Sequence, residues 1–253
     1  MFTFTAAEAE ALVAALLLPF LRILALFSSA PIYSHASLPR PARIGLAAAT
    51  ALLVAPTLPA PPAVPLASGA GAMLVVQQVA IGLAIGFFLQ LVFAAIQLAG
   101  DVIGLQMGLS FASFVDPQNQ QPAPLVGSFL NVAVLLVFLA LDGHLMLLAA
   151  IGETFSRWPV GTAPGWNDAL ALAKSGATLF ELGLRIALPV VGALLIVNLA
   201  LGLLARTAPQ LNLFAVGFPV TLIAGMAALL AAMPALLPMM ERAIAAAIAG
   251  VGR

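Results

Sequence analysis

The chain has 253 residues, of which 63% are hydrophobic and only 7% are charged, and its mean hydropathy is +1.16. Soluble domains carry about 25% charged residues, so this composition indicates an all-α integral membrane protein. Nine acidic and nine basic residues give a formal net charge of zero and form no basic patch, which argues against a nucleic-acid partner. The absence of cysteine excludes disulfides, thiol catalysis and cysteine-based metal sites.

The first apolar run extends from Leu12 to Ala30 and contains Arg22. Glu8 and Glu10 precede this run and no basic residue does, so we predict a retained helix rather than a cleaved signal. An arginine within a membrane helix is costly unless it faces a partner or a wet cavity. We therefore expect Arg22 to form a structural ion pair, either within the chain or with a neighbouring subunit.

The second and third apolar runs differ in length. Residues 44–58 are too few to cross a bilayer upright, which takes roughly 20 residues, so they are predicted to form half of a hairpin. An uncharged Pro/Ala linker, residues 56–65, follows. The third run is helical in pattern from 72 to 111, and at about 1.5 Å per residue it would exceed the hydrocarbon core, so it kinks at Gly100 or Gly104 or projects from the membrane.

A stripe of small and polar residues follows one face of this third run. On a helix of about 3.6 residues per turn, its members fall within an arc of roughly 100°. Small residues at this spacing let membrane helices pack closely, and amide side chains cross-link them. We interpret Gly82 and Gly86 as packing positions and the residues from Gln97 onward as lumen-facing. The stripe comprises Gly82, Gly86, Gln90, Gln97, Asp101, Gly104 and Gly108.

The stripe leads into a polar segment, residues 100–124, that reads GDVIGLQMGLSFASFVDPQNQQPAP. Its glycines, prolines and amides interrupt a chain that is otherwise rich in Ala, Leu and Val. In lipid an unpaired backbone group costs several kcal/mol, so such a segment must be enclosed by protein, line a wet cavity or lie outside the bilayer. We predict a plug-like loop over residues 104–124 that obstructs or shapes a passage.

The following spans are separated by polar connections. After a clean span over residues 125–141, Asp142 and His144 are interpreted as a satisfied helix cap in preference to a proton relay. A polar loop is predicted over residues 152–174, with Trp158 and Trp166 as interfacial anchors.

The C-terminal part contains a second interruption. Glu181 and Arg185 are spaced i,i+4, which favours their pairing on one helix face. A helix break is predicted over residues 206–219, before a last apolar run over residues 220–237. The chain is thus predicted to be a single membrane domain, 1–253, with about six apolar segments in bent helical hairpins and two interrupted helical units.

Catalytic chemistry finds little support in the sequence. Two distant histidines without cysteine cannot supply a zinc site, and no glycine-rich phosphate-binding motif occurs. Gly108-Leu109-Ser110-Phe111-Ala112 resembles the nucleophile elbow GxSxG but lacks its second glycine. We therefore expect a protein that is not an enzyme and carries no cofactor or metal.

Three motifs together resemble the FliR family of flagellar export-gate proteins. The most specific is RTAPQLNLFAVGFPVTL, residues 206–222; the others are GLQMGLSFASFVDP, residues 104–117, and LDGHL, residues 141–145. The resemblance extends over nearly the whole chain. It implies a bacterial inner-membrane protein of the flagellar basal body, arranged as bent hairpins, that forms an export pore for unfolded proteins with FliP-type and FliQ-type subunits. FlhB-type and FlhA-type proteins would work alongside.

The resemblance also implies that the loop over residues 104–124 is a plug inside the channel, which agrees with the argument from its polarity. The corresponding plug or pore residues are Gly104, Gly108, Leu109, Ser110, Phe111, Phe114, Asp116 and Pro117. The residues expected to act in packing or assembly are Arg22, Gln97, Asp101, Glu181, Arg185, Arg206, Pro209, Gln210, Asn212, Phe214, Gly217 and Pro219.

Two other functions are open at this stage. A secondary transporter is one, because two interrupted helical units resemble the discontinuous helices of such proteins. A purely structural scaffold is the other, and it would differ from a gate in that plug variants would assemble without any change in export control.

Overall fold

The structure is a computed structural model that describes residues 5–35, 37–109, 125–208 and 213–252. Seven α-helices contain most of these described residues, and no strand occurs among them. A short 3-10 turn, Ala55–Thr57, follows the second helix. The helices are α1 (Ala6–Ser29), α2 (Arg40–Val54), α3 (Gly69–Gln106), α4 (Leu125–Ala140), α5 (Gly143–Arg157), α6 (Trp166–Thr207) and α7 (Leu213–Gly252).

Helix length and hydropathy confirm the prediction of a helical membrane protein. Within the described residues, α1, α3, α6 and α7 are each long and apolar enough to cross a membrane. The consecutive helices α4 and α5 pass the same test together as one broken span. This gives four or five spans besides α2, whose 15 residues are too few to cross a bilayer upright, as predicted.

Contacts within the chain group into two compact units. The first comprises Met1–Leu91, Asp142–Gly176 and Ile244–Arg253, and the second comprises Val92–Leu141 and Ala177–Ala243. Helices α3, α6 and α7 each contribute residues to both units. The single membrane domain over 1–253 stays a prediction.

The N-terminus of α1 is set by a capping box. The Thr5 hydroxyl accepts a hydrogen bond from the Glu8 N–H at 3.3 Å, and the Glu8 carboxylate accepts one from the Thr5 N–H at 2.8 Å. These bonds satisfy N–H groups that a helix start otherwise leaves unpaired. As a result, α1 begins at Ala6 rather than at Leu12, where the apolar run starts.

Close packing of α1 and α3 confirms the interpretation of two glycines in the first unit. A Cβ at Gly82 would collide with the Arg22 carbonyl and the Ala25 side chain. A Cβ at Gly86 would collide with the Ser29 hydroxyl. Both glycines therefore allow the two helix backbones to approach more closely than any side chain would permit.

The predicted polar loop over residues 152–174 is wrong in most of its length. Helix α5 continues to Arg157, and α6 already begins at Trp166, so only residues 158–165 are non-helical. Leu147, Ile151 and Phe155 are all buried at four-residue spacing. This apolar face keeps α5 helical into the polar stretch, because burial of an amphipathic face outweighs the polarity of the other side.

Two further helix ends differ from the sequence predictions. Helix α3 passes through Gly100 and Gly104 without a break and ends at Gln106, and its 38 residues are long enough to project from a bilayer, which was one of the two predicted alternatives. Helix α7 continues past Pro234 and Pro238 to Gly252, although the last run was predicted to end at Leu237. Each proline removes one backbone hydrogen bond, but the surrounding alanine-rich and leucine-rich sequence favours the helix.

Candidate functional site

The polar segment over residues 104–124 begins in the last turn of α3 and ends immediately before α4. Helix α3 ends in a left-handed turn at Gly108, whose φ is +80°. The Met107 N–H donates to the Ile103 carbonyl at 2.9 Å and the Gly108 N–H to the Leu105 carbonyl at 3.0 Å. Only glycine adopts this φ without a steric cost, so the direction in which the chain leaves α3 depends on Gly108.

Helices α3 and α4 meet backbone to backbone at the base of this segment, within the second unit. A Cβ at Gly100 would collide with the backbone of Val126 and Gly127. Gly127 lies in the first turn of α4, two residues after Leu125, where the helix begins. The two ends of the polar segment are therefore held side by side by a pair of glycines.

Gln97 and Asp101 cover the same contact. The Gln97 side-chain amide donates to the Asp101 carboxylate at 3.1 Å, one helical turn further along α3. Both side-chain ends lie against Gly127, where any Cβ would collide with them. These two residues thus pack against α4, and Gly127 is a partner that sequence reasoning missed. Their interpretation as lumen-facing stays a prediction.

Helix α7 supports the end of α3 from another side. Met107 is fully buried, and its carbonyl accepts a hydrogen bond from the Thr221 hydroxyl at 3.2 Å. Gly225, one turn after Thr221, leaves the space that the Met107 side chain occupies. The sequence contained one signal for this contact, a threonine and a glycine at i,i+4 in an otherwise apolar helix.

Five of the predicted plug residues lie outside the described residues, as do three of the predicted assembly residues. Of the remaining plug positions, Leu109 is half-buried, and a Cβ at Gly104 would meet nothing closer than Val126 at 3.8 Å. The residues outside the described ranges are Ser110, Phe111, Phe114, Asp116, Pro117, Pro209, Gln210 and Asn212. The nucleophile-elbow hypothesis depends on Ser110, which lies outside the described residues as well.

The second predicted break, residues 206–219, is narrower than expected. Arg206 is exposed in the last turn of α6, which ends at Thr207. Helix α7 already begins at Leu213, so Phe214, Gly217 and Pro219 belong to a helix rather than to a break. A proline near the start of an apolar helix loses one hydrogen bond and restricts the backbone to helix-compatible φ angles, which is compatible with continuation.

Arg22 is completely buried in the first unit and joins α1, α3 and the C-terminal end of α5. Its Nε donates to the Gln78 Oε1 at 2.8 Å, its Nη1 to the Thr154 carbonyl at 3.1 Å and its Nη2 to the Trp158 carbonyl at 2.7 Å. The guanidinium also lies 4.0 Å from the Phe155 ring centroid.

An ion pair of Arg22 within the chain, one of the two expected alternatives, is therefore wrong for the described residues, where no carboxylate pairs with it. The alternative, a pair with a neighbouring subunit, stays a prediction. A guanidinium has five donors in a planar fork, and neutral carbonyl and amide oxygens can satisfy them. The aromatic face of Phe155 adds a cation–π contact to these hydrogen bonds. Arg22 is consequently a hydrogen-bonded link between helices.

Asp142 occupies an unusual backbone position at the break between α4 and α5. Its φ of 53° is in the left-handed region, and its side chain makes no capping hydrogen bond, so the satisfied cap is wrong. Aspartate is one of the few residues besides glycine that adopts this conformation readily. His144 is not bonded to Asp142; its carbonyl accepts from the Tyr33 hydroxyl at 3.4 Å. Burial raises the pKa of that Tyr33 hydroxyl above its ordinary value.

Glu181 and Arg185 form the predicted i,i+4 pair in the second unit, with 2.6 Å between the Glu181 Oε1 and the Arg185 Nη2. The Glu181 side chain is 60% exposed and that of Arg185 is 67% exposed. The pair therefore lies on the outer face of α6, among apolar side chains such as Leu184 and Leu188 that are also exposed.

Comparison with known proteins identifies the family. Residues 13–247 match the family model for bacterial export proteins, family 1. The flagellar biosynthetic protein FliR of Escherichia coli (strain K12) is 47% identical over 224 residues, which cover 88% of this chain and 85% of that protein. The chain belongs to the FliR family. FliR of Bacillus subtilis (strain 168) is 37% identical over 209 residues, 81% of this chain and 80% of its own.

The likeness to the FliR family covers nearly the whole chain. FliR of Buchnera aphidicola subsp. Acyrthosiphon pisum (strain APS) is 37% identical over 243 residues, 96% of this chain and 94% of the relative. Family membership and the apolar helices together make the chain a membrane component of bacterial flagellar protein export. The resemblance inferred from three motifs is thereby confirmed.

Proposed function

We propose that the chain is a subunit of the type III protein export gate in the bacterial inner membrane, within the flagellar basal body. Residues 104–124 act as a plug loop that keeps the export pore closed until an unfolded protein passes. The chain performs this role by steric obstruction and without catalysis.

The observation that carries the proposal is the close approach of Gly100 and Gly127. It supports a plug because it fixes both ends of a polar segment on a rigid base. The buried Met107 and the left-handed Gly108 add to this base, since they define where the rigid helix ends.

The outward faces of α6 and α7 support assembly with other membrane subunits. In the 18-residue apolar stretch of each of these helices, only 22% is buried within the chain, against 44% in α1 and α3. An ion pair such as Glu181–Arg185 on an apolar face is costly in contact with lipid. We propose FliP-type and FliQ-type subunits as the neighbours that complete the pore, with FlhB-type and FlhA-type proteins alongside.

Site-specific cross-linking tests whether the segment lines the route of the exported protein. The chain contains no cysteine, so Phe114→Cys and Asp116→Cys each introduce a single thiol. An export substrate that carries one cysteine and is fused to a tightly folded domain would stall in the pore. We expect disulfide cross-links between the substrate and both positions.

The matched control is Leu53→Cys in α2, whose side chain is 78% exposed within the chain. It should form no cross-link with the stalled substrate. Equal cross-linking at Leu53→Cys, or none at positions 114 and 116 in a complex that assembles and stalls normally, would contradict the proposed plug.

A further inference from the structure

A cleft of about 440 Å³ lies in the first unit, between α3, the beginning of α6 and the end of α7. This volume is within the range of roughly 300–1,000 Å³ that is typical of small-molecule sites. Its walls are almost entirely apolar. The side chains and backbone that form them include Ile81, Ala84, Ile85, Phe88, Leu172 and Gly250.

One end of the cleft carries an ion pair beside an aromatic ring. The Arg157 Nη2 donates to the Asp168 Oδ1 at 3.0 Å, and the Arg157 guanidinium lies 4.4 Å from the Trp158 ring centroid. Arg157 is 33% exposed and Asp168 is 28% exposed, so both groups remain accessible. A guanidinium has five donors, and the contact with Asp168 leaves others free to bind a ligand.

We propose that this cleft binds a zwitterionic phospholipid of the phosphatidylethanolamine class. One acyl chain lies in the cleft against its apolar walls. The phosphate accepts hydrogen bonds from Arg157, and the ammonium group pairs with Asp168. The proposal depends on the membrane location of the chain and is independent of the plug.

Charge complementarity selects the headgroup. The polar end of the cleft carries one positive and one negative group at hydrogen-bond distance, so its net charge is zero. An anionic lipid such as phosphatidylglycerol would bring a phosphate toward Arg157 but would also be repelled by Asp168. A headgroup with one cation and one anion satisfies both side chains.

The setting of the cleft fits a lipid rather than a soluble ligand. Helices α3, α6 and α7 are long and apolar enough to cross a membrane, and each contributes to the walls. Tryptophan and arginine at one end are the residues that favour the boundary between acyl chains and headgroups. The cleft therefore has an apolar part that suits an acyl chain and a polar end that suits a headgroup.

Tryptophan fluorescence provides a direct assay, because Trp158 lines the cleft. The chain has only two tryptophans, so Trp166→Phe leaves Trp158 as the sole fluorophore. This variant, purified in detergent, is titrated with phosphatidylethanolamine or phosphatidylglycerol that carries bromine atoms on an acyl chain. We expect saturable quenching by the brominated phosphatidylethanolamine, reversed by its unbrominated form, and about tenfold weaker quenching by phosphatidylglycerol.

Two charge variants test the headgroup contacts. Asp168→Asn leaves a net positive end, so the preference should reverse in favour of phosphatidylglycerol. Arg157→Gln removes the phosphate contact, so binding of phosphatidylethanolamine should weaken about tenfold. A reversal of lipid preference is not expected from a substitution that merely loosens the fold.

A third variant tests the apolar walls. Ala84→Leu fills the cleft and should abolish the saturable quenching, whereas Ala72→Leu, an exposed position on the same helix, should leave it unchanged. Equal quenching by both lipids, unchanged quenching in Ala84→Leu, or no quenching at all would overturn the proposal. Protection of Trp158 from brominated lipid in the assembled export complex, but not in the isolated chain, would also overturn it, because a partner subunit would then fill the cleft.

Discussion

Replacement of Arg22 by methionine is expected to destabilise the chain. The substitution keeps an apolar stem but removes the donor to the Gln78 amide oxygen and to the Trp158 carbonyl. The Thr154 carbonyl loses one of its two donors and keeps the Trp158 N–H at 2.9 Å. Hydrogen bonds to a charged group contribute roughly 1.5–3 kcal/mol each, and buried acceptors without a partner add to the loss. The thermal unfolding midpoint in detergent should therefore fall by several degrees.

Arg40→Met is the matched control for this variant, because Arg40 is exposed at the first position of α2. A positive charge at a helix N-terminus is unfavourable, so its removal should leave the midpoint unchanged or raise it slightly. If Arg22→Met and Arg40→Met unfold at the same temperature, the hydrogen-bonded link at Arg22 is not important for stability.

Substitution of Gly100 by alanine is expected to push α3 and α4 apart at the point where they hold the two ends of the polar segment together. The new Cβ would collide with the backbone of α4, and backbone cannot move aside as a flexible side chain can. Overpacking of this kind costs typically 1–3 kcal/mol. Swimming motility, which depends on flagellar export, should be lost or strongly reduced in Gly100→Ala.

Gly192→Ala provides the comparison for Gly100→Ala, since nothing lies within 4 Å of a Cβ at that position. It should retain motility at normal membrane levels of the protein. Wild-type motility in Gly100→Ala would show that the two helices need no close contact.

The contacts of the site residues could be predicted from the sequence only where both partners are close together in the chain. Pairing of Glu181 with Arg185 and of Gln97 with Asp101 follows from helical spacing. The partners of Arg22 are separated from it by 56 to 136 residues, so no spacing pattern could identify them. Its burial could be inferred from the apolar run around it, but the choice of neutral acceptors over a carboxylate could not.

Replacement of Gly108 by alanine is expected to disturb the end of α3. Gly108→Ala places a Cβ at a φ of +80°, which costs about 1–2 kcal/mol for an ordinary residue. The chain should then leave α3 in a different direction, and both the thermal stability of the assembled complex and flagellar export should decrease.

Gly104→Ala is the control for Gly108→Ala, because it adds a Cβ near the same end of α3 without a strained backbone conformation. A Cβ there meets nothing closer than 3.8 Å, and alanine favours a helix over glycine by roughly 0.5–1 kcal/mol. Cells that carry Gly104→Ala should retain normal flagellar export. A loss of export in Gly104→Ala equal to that in Gly108→Ala would mean that the left-handed turn is not the cause.

Substitutions of Asp142 test the backbone conformation at the break between α4 and α5. Asp142 has a left-handed backbone without a capping bond, so Asp142→Gly should be neutral in thermal stability. Asp142→Val forces a β-branched residue into the same conformation and should lower the free energy of unfolding by about 1–2 kcal/mol. Equal unfolding midpoints for the two variants would contradict a backbone role for Asp142.

Helix identity was readable from the sequence, whereas helix ends were not. Apolar runs of sufficient length predicted α1, α3, α6 and α7. The end of α5 was misplaced because polar residues near Arg157 obscured the buried face of Leu147, Ile151 and Phe155. The start of α1 could have been found from the pattern Thr5-x-x-Glu8, which is a capping signal that a hydropathy profile ignores.

At the scale of the whole molecule, the chain has large apolar surfaces on α6 and α7 that it does not cover itself. A membrane protein that works alone would expose such faces to lipid, but it would not be expected to place an ion pair such as Glu181–Arg185 on them. The sequence could predict a membrane protein and its family from composition and motifs. It could not predict which faces remain free, because that depends on how distant helices pack.

Ion conductance of the assembled export gate tests the central claim most directly. The gate, co-expressed with the proposed FliP-type and FliQ-type partners and reconstituted into a planar bilayer, is compared with one in which residues 110–116 of this chain are deleted. Deletion of an equal number of residues from the linker over 56–65 serves as the control. We predict a closed wild type, a closed linker variant and a steady ion leak through the gate that lacks residues 110–116. A normally assembled gate that stays closed without these residues would contradict the plug.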